Sequence, residues 1–170
     1  LDAFGVDRLP VAGHSMGGFV AVALAARVPD RVSELVLVDG GLPLERPAVV
    51  DDARLPEVVL GPAVERLRRR FADVDEYRGF WRAHPAFAEH WSDDVERYVE
   101  YDLVETEDGW RAAAVEAAMA ENALELYGPE WYLDALRGLE QPVTVFRAPL
   151  GLLAEAPGLY PPGRLEAARD

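Results

Sequence analysis

The sequence predicts an α/β fold in which part of a parallel sheet is interrupted by a long helical insertion. Two short apolar runs, residues 9–12 and 35–38, flank a nearly all-apolar, alanine-rich segment at residues 19–28. A third apolar run follows at residues 143–146, and the proline- and glycine-rich tail from Ala154 is expected to be a loop. Unbroken apolar runs of this length are typical of strands covered on both faces. We therefore expect a parallel half-sheet with flanking helices.

The first predicted unit runs from strand to helix to strand. Its first strand ends at Gly13, and the helix that follows is closed by Pro29. The second strand, within the stretch ELVLVDGG, is bounded by the glycine pair at residues 40–41. Two strands joined through one helix form a βαβ unit, whose crossover is right-handed in nearly all proteins.

The insertion is predicted from apolar residues that recur at helical spacing through most of residues 43–139. Ser92 is placed to cap one helix, and a long helix is expected over residues 111–127. The sheet is therefore assigned to residues 1–42 and 140–170, and a helical insertion to residues 43–139.

Composition narrows the class of protein. The 170 residues carry a formal net charge of −14, because 31 acidic residues outnumber 17 basic ones, all of them arginine. Nucleic acid is therefore not an expected partner, since phosphate backbones require clustered positive charge. The lack of cysteine excludes disulfides and cysteine nucleophiles, and no apolar run approaches the roughly 20 residues of a membrane span. With no signal peptide visible, a folded cytoplasmic protein is expected.

The motif GHSMG at residues 13–17 has the pattern G-x-S-x-G, with a predicted strand before it and a helix after it. Such a turn is strained, and we expect that only residues without Cβ fit at Gly13 and Gly17. It directs the Ser15 hydroxyl away from the sheet, and the backbone N–H of Met16 is placed to stabilise an oxyanion. The alternative is a glycine-rich turn in which the serine has no role.

With this motif the sequence resembles the α/β-hydrolase family, specifically its capped, lipase- or esterase-like members with GHSMGG. The resemblance implies that residues 9–12, 34–38 and 143–146 are the family's fifth, sixth and seventh strands. It implies Ser15 as the nucleophile, and residues 43–139 as a cap that shapes the substrate pocket. The nucleophile elbow would comprise Ser15 together with Gly13, His14, Gly17 and Gly18.

Two parts of the family's machinery are expected to lie outside residues 1–170. In the family, the second oxyanion donor follows the third strand and the catalytic histidine follows the eighth. The eight residues before the first predicted strand do not supply the earlier strands. We therefore interpret the chain as the middle-to-late portion of a longer enzyme, inactive alone, whose missing N- and C-terminal segments are its expected partners.

Two carboxylates are candidates for the acid that would orient the histidine. Asp39 ends the sixth-strand segment, where some members of the family carry the acid, and the following glycine pair allows a sharp exit. Glu155, in the loop after the seventh strand, is the weaker candidate. A third possibility is an acid outside the chain, and an aspartate at the position of Asp39 also caps turns in relatives. The role expected of the acid is to hold the imidazole in the correct tautomer.

The remaining polar and aromatic groups favour structural roles. His14 adjoins Ser15 and is not expected to reach its hydroxyl, while His84 and His90 are expected to pack in the cap or face solvent. Asp102 and Glu105 are expected on an acidic cap surface, with pocket lining as the alternative. The four tryptophans are expected mainly in the core, with one or two lining the substrate pocket: Trp81, Trp91, Trp110 and Trp131.

The function expected is that of a serine hydrolase that cleaves a small-molecule carboxylic ester or a related carbonyl compound, without metal or organic cofactor. Thioesterase, C–C bond hydrolase, haloperoxidase and aminopeptidase chemistry remain open, because the same fold hosts all of them. Epoxide hydrolase and dehalogenase chemistry are disfavoured, since those relatives use aspartate where this chain has Ser15. The alternative class is a non-catalytic binding, receptor-like or decayed protein on the same scaffold.

Overall fold

The computed structural model describes residues 2–46 and 63–167. The chain divides into two compact units. The first, which we call the sheet unit, comprises Leu1–Pro47, Glu125–Gly151 and Ala156–Asp170. The second, the insert unit, comprises Ala48–Leu124 and Leu152–Glu155.

Along the described residues, strands and helices alternate at first, and most of the later elements are helices. In chain order they are β1 (Leu9–His14), α1 (Met16–Arg27), β2 (Val32–Val38), α2 (63–68), α3 (Val74–Arg82), α4 (Asp93–Tyr101), β3 (Leu103–Thr106), β4 (Gly109–Ala112), α5 (Glu116–Glu125), α6 (Glu130–Arg137), β5 (Val143–Phe146) and α7 (Pro162–Ala167). Short 3-10 turns occur at Asp2–Phe4 and Pro29–Arg31. No helix in the described ranges is long and apolar enough to cross a membrane.

The sheet unit contains three parallel strands in the order β1-β2-β5. One row of the register places His14, Val38 and Phe146 side by side at the carboxyl ends of the three strands. The three predicted strands and the helix after the first one are thus confirmed, as is the α/β class. The sheet is the parallel half-sheet that the apolar runs predict.

The core of the sheet unit lies between α1 and one face of the sheet. Val22 and Ala25 of α1 and Leu35 and Leu37 of β2 are fully buried. Tyr132 of α6 packs on the same cluster, with its ring centroid 5.2 Å from that of Phe19. Burial of each valine or leucine side chain contributes roughly 1.5–3 kcal/mol, so this cluster fixes how α1 lies against the sheet.

The boundary between the two units differs from the sequence-based assignment. Residues 125–139 were assigned to the cap, but the structure places them with the sheet. The reason is the apolar face of α6 and its flanks, because Leu126, Leu136 and Leu139 pack against the core of the sheet unit. Helical spacing alone does not reveal which of two cores such a face joins.

A β-hairpin replaces the first part of a predicted helix. Residues 111–127 were expected to form one long helix, but β3 and β4 pair antiparallel through residue 112, and α5 covers only Glu116–Glu125. Gly109 begins β4 with a φ of 106°, a left-handed conformation that favours glycine. The tail also differs from prediction, since it contains the short helix α7.

Aromatic packing and the partly buried ion pair of Arg66 with Asp102 stabilise the insert unit. Phe71, Tyr77 and Val99 are its buried cluster. Asp102 accepts hydrogen bonds from Arg66 and from the Tyr77 hydroxyl, both at 2.5 Å. Burial, followed by this contact with Asp102, raises the pKa of Tyr77 to about 12.

Candidate active site

Ser15 occupies a strained bend between β1 and α1. Its φ is 51° and its ψ is −123°, a region that non-glycine residues rarely adopt and that costs on the order of 1–3 kcal/mol. It stands at the N-cap position of α1, yet its side chain makes no capping hydrogen bond. The residue is exposed. The Ser15 hydroxyl therefore does not make the capping hydrogen bond that a serine normally makes at a helix N-terminus.

Close backbone packing explains the glycines around this bend. A Cβ at Gly13 would lie 2.2 Å from the carbonyl oxygen of Gly17, and one at Gly18 would lie 2.7 Å from the carbonyl carbon of Gly40. A Cβ at Gly40 would lie 2.0 Å from the Ser15 carbonyl oxygen. All three distances are far below van der Waals contact, so these positions require glycine.

The expectation for Gly17 was wrong. A Cβ built at Gly17 meets no atom within 4 Å in the described part of the chain. Gly17 lies in the first turn of α1. Gly13 approaches the carbonyl group of Gly17, so the close contact does not involve the position of a Cβ at Gly17. A tightly packed glycine that was not expected is Gly40, in the loop after β2, which was expected only to allow a sharp exit from the strand.

Asp39 lies beside Ser15 at the carboxyl edge of the sheet. Because His14 pairs with Val38, the residues that follow them leave neighbouring strands at the same level. Asp39 is also left-handed, with a φ of 44°. Its N–H donates to the Phe146 carbonyl at 2.7 Å, and its Oδ1 accepts from the Ala148 N–H at 3.1 Å. The carboxylate is thus held by the backbone that leaves β5.

Glu155 has a different environment. Its carboxylate accepts a hydrogen bond from the nearby N–H of Leu153 at 2.7 Å, and the side chain is exposed. Glu155 belongs to the insert unit, whereas Ser15 belongs to the sheet unit. Of the two candidate acids, only Asp39 shares a compact unit and a sheet edge with Ser15.

Met16 is the first residue of α1. The first N–H groups of a helix have no acceptor within it, and the helix dipole places partial positive charge there. The N–H of Met16 therefore lies where negative charge developing next to the Ser15 hydroxyl would be stabilised.

The three histidines occupy separate positions. Gly13 faces α1, so alternation along β1 directs the exposed His14 to the other face of the sheet. His84 packs in the insert unit against the rings of Trp81 and Phe87, at centroid distances of 5.4 and 5.8 Å. His90 is an exposed residue of the same unit. Within the residues that the structure describes, no group of three or more His, Asp or Glu side chains could hold a metal ion.

The acidic and aromatic residues of the insert unit divide between core and surface. Glu105 is exposed, as an acidic surface predicts, but Asp102 is partly buried and paired with Arg66, which corrects the expectation for that residue. Three tryptophans pack against the insert-unit cluster: Trp81, Trp91 and Trp110. Trp131, on α6 of the sheet unit, is instead 55% exposed.

A cavity of about 240 Å³ lies at the opposite edge of the sheet from Ser15. Its lining comes from the residues just before each strand, namely Arg8, Pro29, Asp30, Glu140, Gln141 and Pro142. Ligands of open α/β sheets bind at the carboxyl ends of the strands, so this cavity is not the candidate active site.

Two buried tyrosines near the site were not identified from the sequence. Tyr132 donates its hydroxyl to the carbonyl of Gly41, and Tyr160 donates to that of Leu42, each at 2.7 Å. Both acceptors belong to the loop that begins at Asp39. The available signal was the apolar face of α6 on which Tyr132 lies, but nothing in its spacing indicates the acceptor.

Comparison with known proteins assigns the family. The family model of the α/β hydrolase fold matches residues 1–106, more than half of the chain. The chain therefore belongs to the α/β hydrolase fold family.

Curated relatives match a short segment of the chain. A 1-acylglycerol-3-phosphate O-acyltransferase, ABHD5, from Sus scrofa is 45% identical over 53 residues, which are 31% of this chain and 15% of that protein. A (lyso)-N-acylphosphatidylethanolamine lipase from Bos taurus is 43% identical over 56 residues, 32% of this chain and 16% of that protein. A 2-hydroxy-6-oxononadienedioate/2-hydroxy-6-oxononatrienedioate hydrolase from Dechloromonas aromatica is 51% identical over 41 residues, 24% and 14% of the two chains.

Solved structures match nearly the whole chain. E-2-(acetamidomethylene)succinate hydrolase superimposes with a TM-score of 0.69 at 20% identity, covering 98% of this chain and 56% of that one. The thioesterase domain from the curacin biosynthetic pathway gives 0.65 at 21% identity, covering 96% and 56%. At such identities the likeness shows the fold alone. The chain spans just over half the length of these solved proteins.

Proposed function

We propose that this chain carries the nucleophile and the acid of a serine hydrolase that cleaves a carboxylic ester or a related acyl compound. The observation that carries the proposal is the exposed, strained and non-capping Ser15 at the carboxyl edge of the sheet. Strain of this kind persists only where surrounding structure imposes it, and it concentrates at functional sites. Asp39, which directly follows the neighbouring strand and has a left-handed backbone conformation, supports the same assignment.

The chemistry follows from these positions. The Ser15 hydroxyl would attack the substrate carbonyl, and a histidine would take its proton and later return it to the leaving group. The N–H of Met16 would share the charge of the tetrahedral oxyanion, where loss of one such donor costs on the order of 3 kcal/mol. Asp39 would orient the histidine and stabilise its charged form.

We assign the base to a histidine outside residues 1–170. His14 projects from the sheet face opposite α1, and the ring of His84 is engaged by its aromatic neighbours. His90 is exposed on the insert unit, and its position gives no reason to assign it as the base. The segments that supply the base and the second oxyanion donor are accordingly the proposed partners of this chain.

The substrate class rests on the relatives named above. Their names describe an acyltransferase, a lipase of an N-acylated phospholipid and a hydrolase of oxo-dienedioates. Attack of a serine on a carbonyl carbon is a step by which each substrate class can react. We therefore propose a small acyl compound as substrate and water as the final acceptor, with no metal or organic cofactor in the reaction.

Acylation of the chain tests the proposal directly. The chain has neither lysine nor cysteine, so acyl groups on side chains are confined to hydroxyl and imidazole groups. We expect p-nitrophenyl butyrate, with imidazole added as a soluble base, to acylate Ser15 at least about tenfold faster than Ser92, because one positioned oxyanion donor alone is worth on the order of 10²-fold. Peptide mass spectrometry locates the adduct.

Ser92 is the matched control, since it is exposed and also stands at a helix N-cap. It differs in having an extended backbone and a side chain that accepts from the Val95 N–H. Ser15→Ala removes the expected adduct. Equal labelling of both serines contradicts the proposal and favours a non-catalytic binding protein on the same scaffold.

Turnover gives a second measurement. Without added base, the chain is expected to hydrolyse p-nitrophenyl acetate no faster than its Ser15→Ala variant, because no histidine of the chain is assigned to Ser15. Ser15-dependent turnover at an enzymatic rate would show that a histidine of this chain is the base.

A further inference from the structure

Three consecutive carbonyl groups of the loop after β2 each accept a hydrogen bond from a side chain far along the sequence. We call these three donors the carbonyl clamp. Its bonds are Tyr132 Oη to Gly41 O at 2.7 Å, Tyr160 Oη to Leu42 O at 2.7 Å, and Arg164 Nη2 to Pro43 O at 2.6 Å. Loop carbonyls are ordinarily satisfied by water, so side-chain donors at three in succession are a specific arrangement.

The two tyrosine side chains of the carbonyl clamp are buried. Tyr132 and Tyr160 are each only 1% exposed. Leu42, whose carbonyl accepts from Tyr160, is buried as well. An acceptor that loses its partner in such a place keeps its full desolvation cost. The loop is therefore held in one position by bonds that water cannot easily replace.

The other side of the same loop presses on the bend at Ser15. Gly40 approaches the Ser15 carbonyl so closely that no Cβ fits between them, and Gly41 packs against the carbonyl of Gly18. Asp39 is the first residue of the loop, and its carboxylate bonds to the N–H of Ala148. The loop therefore begins with one residue of the proposed site, Asp39, and lies between the clamp and the other, Ser15.

We propose that Tyr132, Tyr160 and Arg164 are positioning residues for the proposed hydrolysis, and this inference rests on that proposed function. They touch neither substrate nor the reacting atoms. By fixing the carbonyls of residues 41–43 they hold Asp39 beside Ser15, in the left-handed conformation in which its side chain accepts from the Ala148 N–H. Because regions of a protein open locally, the loop can loosen without unfolding of the whole sheet.

Hydrogen exchange of backbone amides measures this loosening without requiring activity. In Tyr160→Phe, which removes only the hydroxyl, we expect the Ala148 amide to exchange about tenfold faster, since a lost buried hydrogen bond weakens local structure by about that factor. The Leu35 amide, which donates to Pro142 within the sheet, serves as the reference and is expected to keep its exchange rate. Tyr127→Phe is the matched control, because within the described residues the side-chain donors to the carbonyls of residues 41–43 are those of the clamp.

Arg164→Gln provides a second variant at a partly buried position, with Arg137→Gln as its exposed control. It is expected to raise the exchange of the Ala148 amide severalfold, again without change at Leu35. An equal rise in exchange at the Ala148 and Leu35 amides would show that the clamp only stabilises the unit in general, and would overturn the proposal. No rise at either amide would overturn it as well. The result is independent of Ser15 acylation, so failure of that test would refute the hydrolase function while leaving the clamp measurement interpretable.

Discussion

Ser15 and Asp39 leave adjacent parallel strands, and both hold left-handed backbone conformations, with φ values of 51° and 44°. Each conformation is imposed by contacts with backbone from elsewhere in the sheet unit. The Ser15 N–H donates to the Val38 carbonyl at 2.9 Å, and the Asp39 N–H donates to that of Phe146. Two neighbouring strained residues at the carboxyl edge are the strongest residue-scale evidence for a functional site.

The glycines of the bend give a pair of substitutions with opposite expected effects. Gly40→Ala places a methyl group 2.0 Å from the Ser15 carbonyl oxygen and is expected to lower the free energy of unfolding by about 3 kcal/mol or more. Gly17→Ala meets open space within α1 and is expected to be neutral or to stabilise by up to about 1 kcal/mol, since alanine favours helix. Urea unfolding of the two variants measures both. Equal stability would show that the loop does not press on the bend.

The predictability of the site at this scale depends on sequence distance. The position of Ser15 follows from five consecutive residues between an apolar strand and an apolar helix, so the sequence was sufficient to predict it. The contact between Gly18 and Gly40 joins two segments, and no local pattern indicates it. The sequence therefore predicted the tight packing at Gly13 correctly, predicted it wrongly at Gly17 and did not indicate it at Gly40.

At the scale of elements, the insert unit depends on a few contacts between its short helices. Arg66 of α2 is bonded to the residue that ends α4, Asp102, and to Tyr77 of α3. The side chains of Arg66 and Asp102 are 13% and 24% exposed. An ion pair this sheltered leaves a costly unpaired charge when one partner is removed.

Asp102→Ala tests that contact. We expect it to destabilise the insert unit by about 3 kcal/mol, because the Arg66 guanidinium and the Tyr77 hydroxyl both lose an acceptor. Glu105→Ala, on the neighbouring strand β3, removes an exposed carboxylate and is expected to change stability by no more than about 0.5 kcal/mol. Thermal unfolding followed by circular dichroism compares the two. Similar losses in both variants would contradict the assigned role of Asp102.

The caps and hairpin of the insert unit differ in how far local sequence determines them. Ser92 caps α4 by accepting from the Val95 N–H, as its position before two aspartates predicts. The pairing of β3 with β4 was not predicted although only Glu107 and Asp108 separate the two strands, and the bridge from β4 to Phe71 joins a partner far away in sequence. Local capping is determined by neighbouring residues, whereas a short strand needs its partner.

For the whole molecule, the buried tyrosines are expected to lower the free energy of unfolding as the pH becomes alkaline. Burial raises the pKa of Tyr77 and of Tyr160 to about 12, from an ordinary value of 10.0, and it also raises the pKa of Tyr132. The folded state therefore favours the neutral phenol. The associated stability is fully present below pH 10 and declines as pH rises from there through about 12.

We accordingly expect the urea midpoint of the wild-type chain to fall between about pH 9 and about pH 11. Tyr160→Phe is expected to be less stable at the lower pH, because it lacks one hydrogen bond of the clamp, but to lose less stability over the same interval. Urea titrations at a series of pH values measure both quantities. An identical pH dependence in the two proteins would show that Tyr160 ionises as readily when folded as when unfolded.

By itself the sequence determined the strand-helix-strand unit, the third strand and the bend at Ser15, because each depends on apolar runs and glycines within a few residues of one another. Only the tertiary structure decided the surroundings of Asp39, the place of residues 125–139 in the sheet unit and the clamp on the loop. The bonds involved join residues 109, 91 and 118 positions apart. Such contacts form when the chain folds back on itself, and no local pattern of residues specifies which distant groups will meet.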